Sequence, residues 1–242
     1  MSYFDFDARR SPQGMTSAAD TWIDAGLRIH MQRVYGYMAG GLALTGIVAY
    51  AAAESGLYQA IAGSALLWLV MLAPLAFVIA LSFGIERMSA STAVLLFWSY
   101  AAVMGLSLGG IFLVFTGTSI ARVFLITAVT YGAMGLYGYT TNTDLSRFGS
   151  FLLMGLIGLV IASVVNVFLG SNSLQFVISI VGVLIFVGLT AYDTQRIKEM
   201  YLQADSEEVA GKKTVLGALA LYLDFFNLFM MLLQLLGQRR QD

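Results

Sequence analysis

Seven stretches of the chain are apolar over roughly 20 residues each, long enough as helices to cross about 30 Å of hydrocarbon. They run approximately from Val34 to Ala53, Ile61 to Phe83, Ala90 to Phe115, Val123 to Thr140, Phe148 to Leu169, Leu174 to Ile197 and Val215 to Gly237. With 59% hydrophobic and 11% charged residues among 242, the chain has more apolar surface than one soluble core can hide. The expected fold is an all-α integral membrane protein of seven transmembrane helices. Residues 1–33 read as a cytoplasmic tail, residues 34–237 as the membrane domain and residues 238–242 as a short C-terminal tail.

Composition excludes several chemistries. There is no Cys, so disulfides, thiolate catalysis and thiolate metal sites are absent. One His argues against an imidazole-rich metal centre, and a net charge of -1 argues against nucleic acid as a partner. No apolar stretch precedes Val34, so a cleavable secretory signal is not expected. From about Thr16 the pattern Ala18, Trp22, Ile23, Leu27 predicts a short interfacial helix with Trp22 at the lipid boundary, and His30 reads as an ordinary tail residue.

Lys and Arg accumulate on cytoplasmic loops. With the N-terminus inside, ten of the 13 lie on the inner side, Arg87, Arg147, Arg196 and Lys213 among them; Arg122, Arg239 and Arg240 lie outside. The expected topology is N-terminus cytoplasmic and C-terminus outside. Gly36 with Gly40, and Gly105 with Gly109, have the spacing that lets helix backbones approach closely, here read as packing within the chain. Pro74 would leave a carbonyl of the second span unpaired.

Two residues break the apolar pattern. Asp193 follows the run ending at Tyr192, and Asp224 lies inside the seventh span. A carboxylate at the bilayer centre costs at least about 2.5 to 3.5 kcal/mol, so such residues usually serve function. In the seventh span Gly217, Ala220, Asp224, Asn227 and Gln234 share one helical face, which should turn into the bundle. Arg87 falls on the same side of the membrane. Asp224 would lie about 14 Å deep from Val215, deeper than Asp193, so contact would call for tilt or displacement of the sixth helix.

The segments Gly188-Leu-Thr-Ala-Tyr-Asp-Thr-Gln-Arg-Ile-Lys198 and Leu221-Tyr-Leu-Asp-Phe-Phe-Asn-Leu-Phe229 resemble the paired signature of the Bax inhibitor-1 family, also called the transmembrane Bax inhibitor motif family. The resemblance implies a seventh helix at the centre, surrounded by the other six. It implies a pH-sensitive calcium leak in which Asp193 and Asp224 hydrogen-bond to each other and Arg87 helps to latch the closed state. It also implies a link to stress protection. Some members carry a Glu in the second span, where this chain has Ala73-Pro-Leu-Ala-Phe77 and no acid.

The chemistry can be argued from the residues as well. Two carboxylates about 4 Å apart repel by about 4 kcal/mol at an effective dielectric of about 20, so the pair should share one proton and titrate as a coupled unit. Loss of that proton would part the two helices and open an acidic throat to cations. Asn227, Tyr192 and Tyr222 are the candidate pore or ion contacts. Asp193 and Asp224 would touch calcium only weakly, because that ion wants six to eight oxygens. Calcium is thus expected as the transported ion rather than a cofactor, and the chain is not expected to be an enzyme.

Three other readings stand beside this one. Asp193 could pair with Arg196 and Asp224 with Lys213 or a neighbouring helix, with Asn227 as helix glue. An intramembrane aspartyl protease would also place Tyr-Asp on a sixth helix, but its Gly-x-Gly-Asp and Pro-Ala-Leu elements are missing. A regulatory role would use a partner such as a membrane quality-control protease, contacted through the N-terminal tail.

Overall fold

The computed structural model describes residues 13–240, with side chains from residue 25 onward. Its helices are α1 (Gln13–Glu54), α2 (Leu57–Ala62), α3 (Leu66–Gly84), α4 (Ala90–Leu108), α5 (Ile111–Val114), α6 (Gly117–Thr140), α7 (Ser146–Leu169), α8 (Asn172–Glu199) and α9 (Glu207–Leu236), with a 3-10 turn at Ile85–Arg87. Seven segments are long and apolar enough to cross a membrane: α1 from Ala25, α3 with the 3-10 turn, α4 with α5, and each of α6 to α9.

The element boundaries differ from expectation where charge hides a helix. The interfacial helix and the first span are one element, α1, of 42 residues. No Pro interrupts residues 16–34, and Arg28, Gln32 and Arg33 are good helix formers. His30 is therefore packed rather than free, with Nδ1 3.4 Å from the Thr214 hydroxyl. The side chain of Trp22 lies outside those described. Likewise α9 starts at Glu207, eight residues before its apolar run. The Ser206 hydroxyl accepts from Val209 N–H at 3.3 Å, and Glu207 and Glu208 occupy the first turn, where the helix dipole favours acids.

Local chemistry explains the breaks. Between α7 and α8 the chain reverses through Gly170 at φ 60, a left-handed conformation that costs Gly little, and Ser171 then caps α8. Pro74 inside α3 cannot donate to the carbonyl of Val70, and Ser107 Oγ of α4 donates to that oxygen at 2.5 Å instead.

Burial separates the helices. Of the apolar window of α9, 61% is buried, against 11% for α3 and for α7. α9 packs against α1, α3, α4, α6 and α8, while α7 docks mainly on α8. The expected close approach of Gly105 occurs within the chain, since a Cβ there would stand 2.7 Å from the Thr45 carbonyl oxygen of α1. α8 is held tightly on two sides. A Cβ at Gly138 of α6 would collide with the Ala191 backbone, and one at Gly149 of α7 with the Tyr192 ring.

One end of the bundle carries the basic residues and is tied by side-chain to backbone bonds. Gln195 accepts from Leu145 N–H at 2.8 Å and donates to the Thr143 carbonyl at 2.9 Å. Lys198 donates to the Tyr139 carbonyl, and Glu208 accepts from Ala90 N–H. Each bond joins a helix end to a segment far away in sequence, so the ends of α8 and α9 are fixed relative to α4, α6 and the α6–α7 connection. That frame positions the acids.

Candidate functional site

Asp193 lies two turns before the end of α8, and Asp224 lies past the middle of α9. The depth difference expected from the sequence closes through helix register. Ile197 rests on Gly217 and Met231 on Gly182, which sets Asp193 beside the turn from Ala220 to Asp224. The two carboxyl groups are near enough to act on each other electrostatically. Asp224 is 5% exposed, and its Oδ2 is buried with no donor. Ionised carboxylates only accept, so a hydrogen bond between these two requires a proton on one of them. Leaving both ionised would strand a buried charge at a cost of several kcal/mol.

Two cavities meet at this pair. The first, about 490 Å³, lies between α7, α8 and α9 and is lined by Asp193, Asp224, Asn227 and hydrocarbon side chains. The second, about 310 Å³, lies toward the basic end and is lined by Asp193, Arg196, Ser82 and Met200 among others. Asp193, Ala220 and Leu223 line both. A third cavity of about 400 Å³, between α3, α4 and α9, shares Leu223 and Asn227 with the first. The spaces thus follow one face of α9, the small and polar stripe visible in its sequence.

The other expected site residues distribute unequally. Asn227 lines the first and third cavities while its Nδ2 donates to the Leu223 carbonyl at 2.8 Å, so it serves its own helix and faces the space. Tyr222, two residues from Asp224 and thus about 200° around the helix, points away. Its hydroxyl is 2.8 Å from that of Thr45, and its ring packs on Tyr100 and Phe97. Tyr192 is pressed onto Gly149. Neither tyrosine lines these three cavities, so both act in packing here.

Arg87 is exposed on the 3-10 turn and does not reach the acids. The cation acting on Asp193 is Arg196, one helical turn on, which shares the second cavity without closing an ion pair within 4.0 Å. The alternative pairing of Asp224 with Lys213 fails. Lys213 Nζ is 2.6 Å from Asp205 Oδ2 and donates to the Met200 carbonyl at 2.9 Å. One further residue near the acids carries no signal in the sequence. Tyr131 of α6 lies within electrostatic reach of both acids, and its hydroxyl donates to the Leu221 carbonyl at 3.1 Å. The Thr194 hydroxyl is 3.2 Å from that of Tyr35. One Tyr among 12 gives no sequence signal; only the packing of α6 on α8 and α9 selects it.

Among the described residues no three His, Asp or Glu side chains gather as a metal site would require. A pair of carboxyls and one carboxamide supplies fewer oxygens than tight calcium binding uses.

Comparison with known proteins matches residues 27–241 to a family described as inhibitor of apoptosis-promoting Bax1. The inner membrane protein YbhL of Escherichia coli K12 is 49% identical over 220 residues, covering 89% of this chain and 94% of that protein. An uncharacterized protein of Rickettsia prowazekii, RP147, is 46% identical over 226 residues, covering 93% of this chain and 96% of the relative. One from Caulobacter vibrioides is 42% identical over 234 residues.

Proposed function

From its membership of the Bax inhibitor-1 family, to which the chain belongs, we propose that it is a multi-pass inner membrane protein that lets cations, calcium among them, leak through the bundle under control of one shared proton. The N-terminus is cytoplasmic, so the basic end and the second cavity face the cytoplasm. The observation that carries the reading is that Asp193 lines both cavities while Asp224 lines the first beside it and has an unpartnered oxygen. With the proton present, the hydrogen bond joins α8 to α9 at the boundary between the two spaces. When the proton leaves, two carboxylates at about 4 Å repel by about 4 kcal/mol at an effective dielectric of about 20. That is enough to drive a helix displacement of a few kcal/mol.

The parted acids attract cations, and with few oxygens they release them again, as conduction requires. Flux therefore rises as pH rises through the titration of the pair. Arg196 holds the tuning position beside Asp193. A latch by Arg87, implied by the family resemblance, needs the α3–α4 turn to move toward α8.

The test is calcium entry into proteoliposomes from about pH 6 to pH 8, comparing the unmodified chain with Asp193→Asn and Asp224→Asn. The expected result is flux that rises with pH in the unmodified chain and is independent of pH in both variants. Equal, pH-independent flux in all three removes the pair from the mechanism. Peptide cleavage lost in Asp224→Asn would replace conduction with proteolysis.

A further inference from the structure

The cavity between α7, α8 and α9 is far larger than a passing ion needs, and its wall is hydrocarbon. Leu153, Leu156, Val160 and Val164 of α7 form one side, and Phe186 and Met231 lie across from them. At about 490 Å³ it falls within the range of small-molecule sites, which are mostly apolar with a few converging polar groups.

Those polar groups are mostly acceptors. The Ser163 hydroxyl donates to the Leu159 carbonyl at 2.8 Å, and Asn227 Nδ2 donates to the Leu223 carbonyl at 2.8 Å. What remains at the cavity is one N–H of Asn227 against a larger set of acceptors: the Asn227 carbonyl oxygen and the carboxyl groups of Asp193 and Asp224. Asp224 Oδ2, buried in a residue only 5% exposed, has no donor. A single shared proton is committed between the acids, which leaves the pair one net negative charge.

We propose that this cavity binds an amphiphilic ammonium compound, its N–H groups on Asp224 and Asp193 and its apolar body against α7. A ligand here must bring donors and one positive charge, because a fatty carboxylate would meet one Asn227 N–H but otherwise acceptors and a like charge. It must also bring an apolar body, since the wall offers a hydrated inorganic ion almost no oxygen in exchange for its water. Access is from the side. Val160 and Val164 are 55% and 54% exposed on the outer face of the bundle, which in a membrane is the lipid face. An amphiphile dissolved in the bilayer therefore reaches the site without crossing the basic end.

The inference rests on the proton-sharing pair of the proposed function but not on conduction, so binding is measured without flux. The unmodified full chain in nanodiscs is titrated with amantadine, a compact apolar cage bearing an ammonium group, with adamantanol and adamantane carboxylate as matched controls. Saturation-transfer NMR reads contact with the protein. The expected result is saturable binding of the amine, at least tenfold weaker binding of the alcohol and none of the carboxylate. Asp224→Asn should weaken the amine at least tenfold. Val160→Trp, and Val160→Phe as a milder second variant, should block it by filling the cavity while both acids stay in place; an unchanged unfolding temperature shows that each still folds.

Equal binding of amine and alcohol, or amine binding unaffected by Asp224→Asn and by both Val160 variants, overturns the proposal and shows simple partition into lipid. A chain whose calcium flux keeps its pH dependence but which binds no amine loses this inference alone. A chain that binds amine through Asp224 with no pH-dependent flux loses the conduction reading alone.

Discussion

Helices α8 and α9 carry two polar clusters, one by the α7–α8 connection and one nearer the basic end, and the two are built on opposite principles. Toward the α7–α8 connection, Asn166 Nδ2 donates to Gln175 Oε1 at 3.0 Å, and Gln175 and Ser179 both donate to Gln234 Oε1, the latter at 2.9 Å. Asn166 Oδ1 also accepts from Ser171 N–H at 3.1 Å. This amide cluster is neutral, and each of its three amide oxygens has a donor. Toward the basic end, Asp193 and Asp224 leave an oxygen without a donor and need a proton to be joined at all. A polar group in a bundle that is fully satisfied acts as glue. One that is incomplete, and lined by open space, is where a proton or a ligand acts.

The comparison is broken most severely by converting the acid cluster into an amide one. Asp224→Asn keeps a hydrogen bond to Asp193 but removes the shared proton, so the rise of flux from about pH 6 to pH 8, expected to be at least about tenfold for a one-proton switch, should flatten. Proteoliposome flux checks it.

The converse variant touches only the amide cluster. Gln234→Leu removes the acceptor of both Ser179 and Gln175 and should cost about 1 to 2 kcal/mol of stability, read as a lower unfolding temperature. The pH dependence of flux should not move. If it does, the two clusters are coupled through α9 and the distinction between glue and switch fails.

A smaller effect separates the two arginines. Arg196→Ala should shift the midpoint of flux against pH by about half a unit toward higher pH, because the pair gives up its proton less readily without a cation nearby. Arg87→Ala should leave the midpoint in place. A larger shift from Arg87 would mean that the α3–α4 turn reaches the acids in another state.

The smallest effect lies outside both clusters. Asp144, in the α6–α7 connection, accepts from Ser146 N–H at 2.8 Å, and hydrogen bonds from the Ser146 side chain and backbone hold its carboxyl below its ordinary value. A carboxyl lowered on folding stabilises above its unfolded value and loses that contribution as pH falls through the folded one. Asp144→Ala should therefore lower the unfolding temperature slightly at neutral pH and by less at about pH 3. Thermal unfolding at the two pH values checks it.

Much of this architecture was legible in the sequence because lipid imposes a strong rule: a spanning helix must be apolar over its whole crossing. Residues that violate the rule stand out, which is why Asp193, Asp224, Asn227 and the small stripe of α9 were visible, and all of them line the cavities or the α8–α9 contact. Residues that obey it, or that lie outside the membrane, gave weaker signals. The charged first turns of α9 and the polar half of α1 are helical, yet a hydropathy pattern has nothing to say about them. Tyr131 is an unremarkable aromatic until α6 packs it beside the acids. Arg87 shares a membrane side with Asp193, but side is one coordinate of three, and the residue nearby is Arg196.

Apolar length and charge placement determined by themselves that this chain crosses a membrane seven times and carries two acids where acids are costly, since those properties depend on solvation along one axis. Which groups meet was decided only by tertiary packing. Gly138 and Gly149 let α8 settle between α6 and α7, and the α8–α9 register then brings Asp193 to Asp224. Lateral neighbours and rotation about each helix axis are set by the shape of side chains packed against one another, and no one-dimensional pattern contains that.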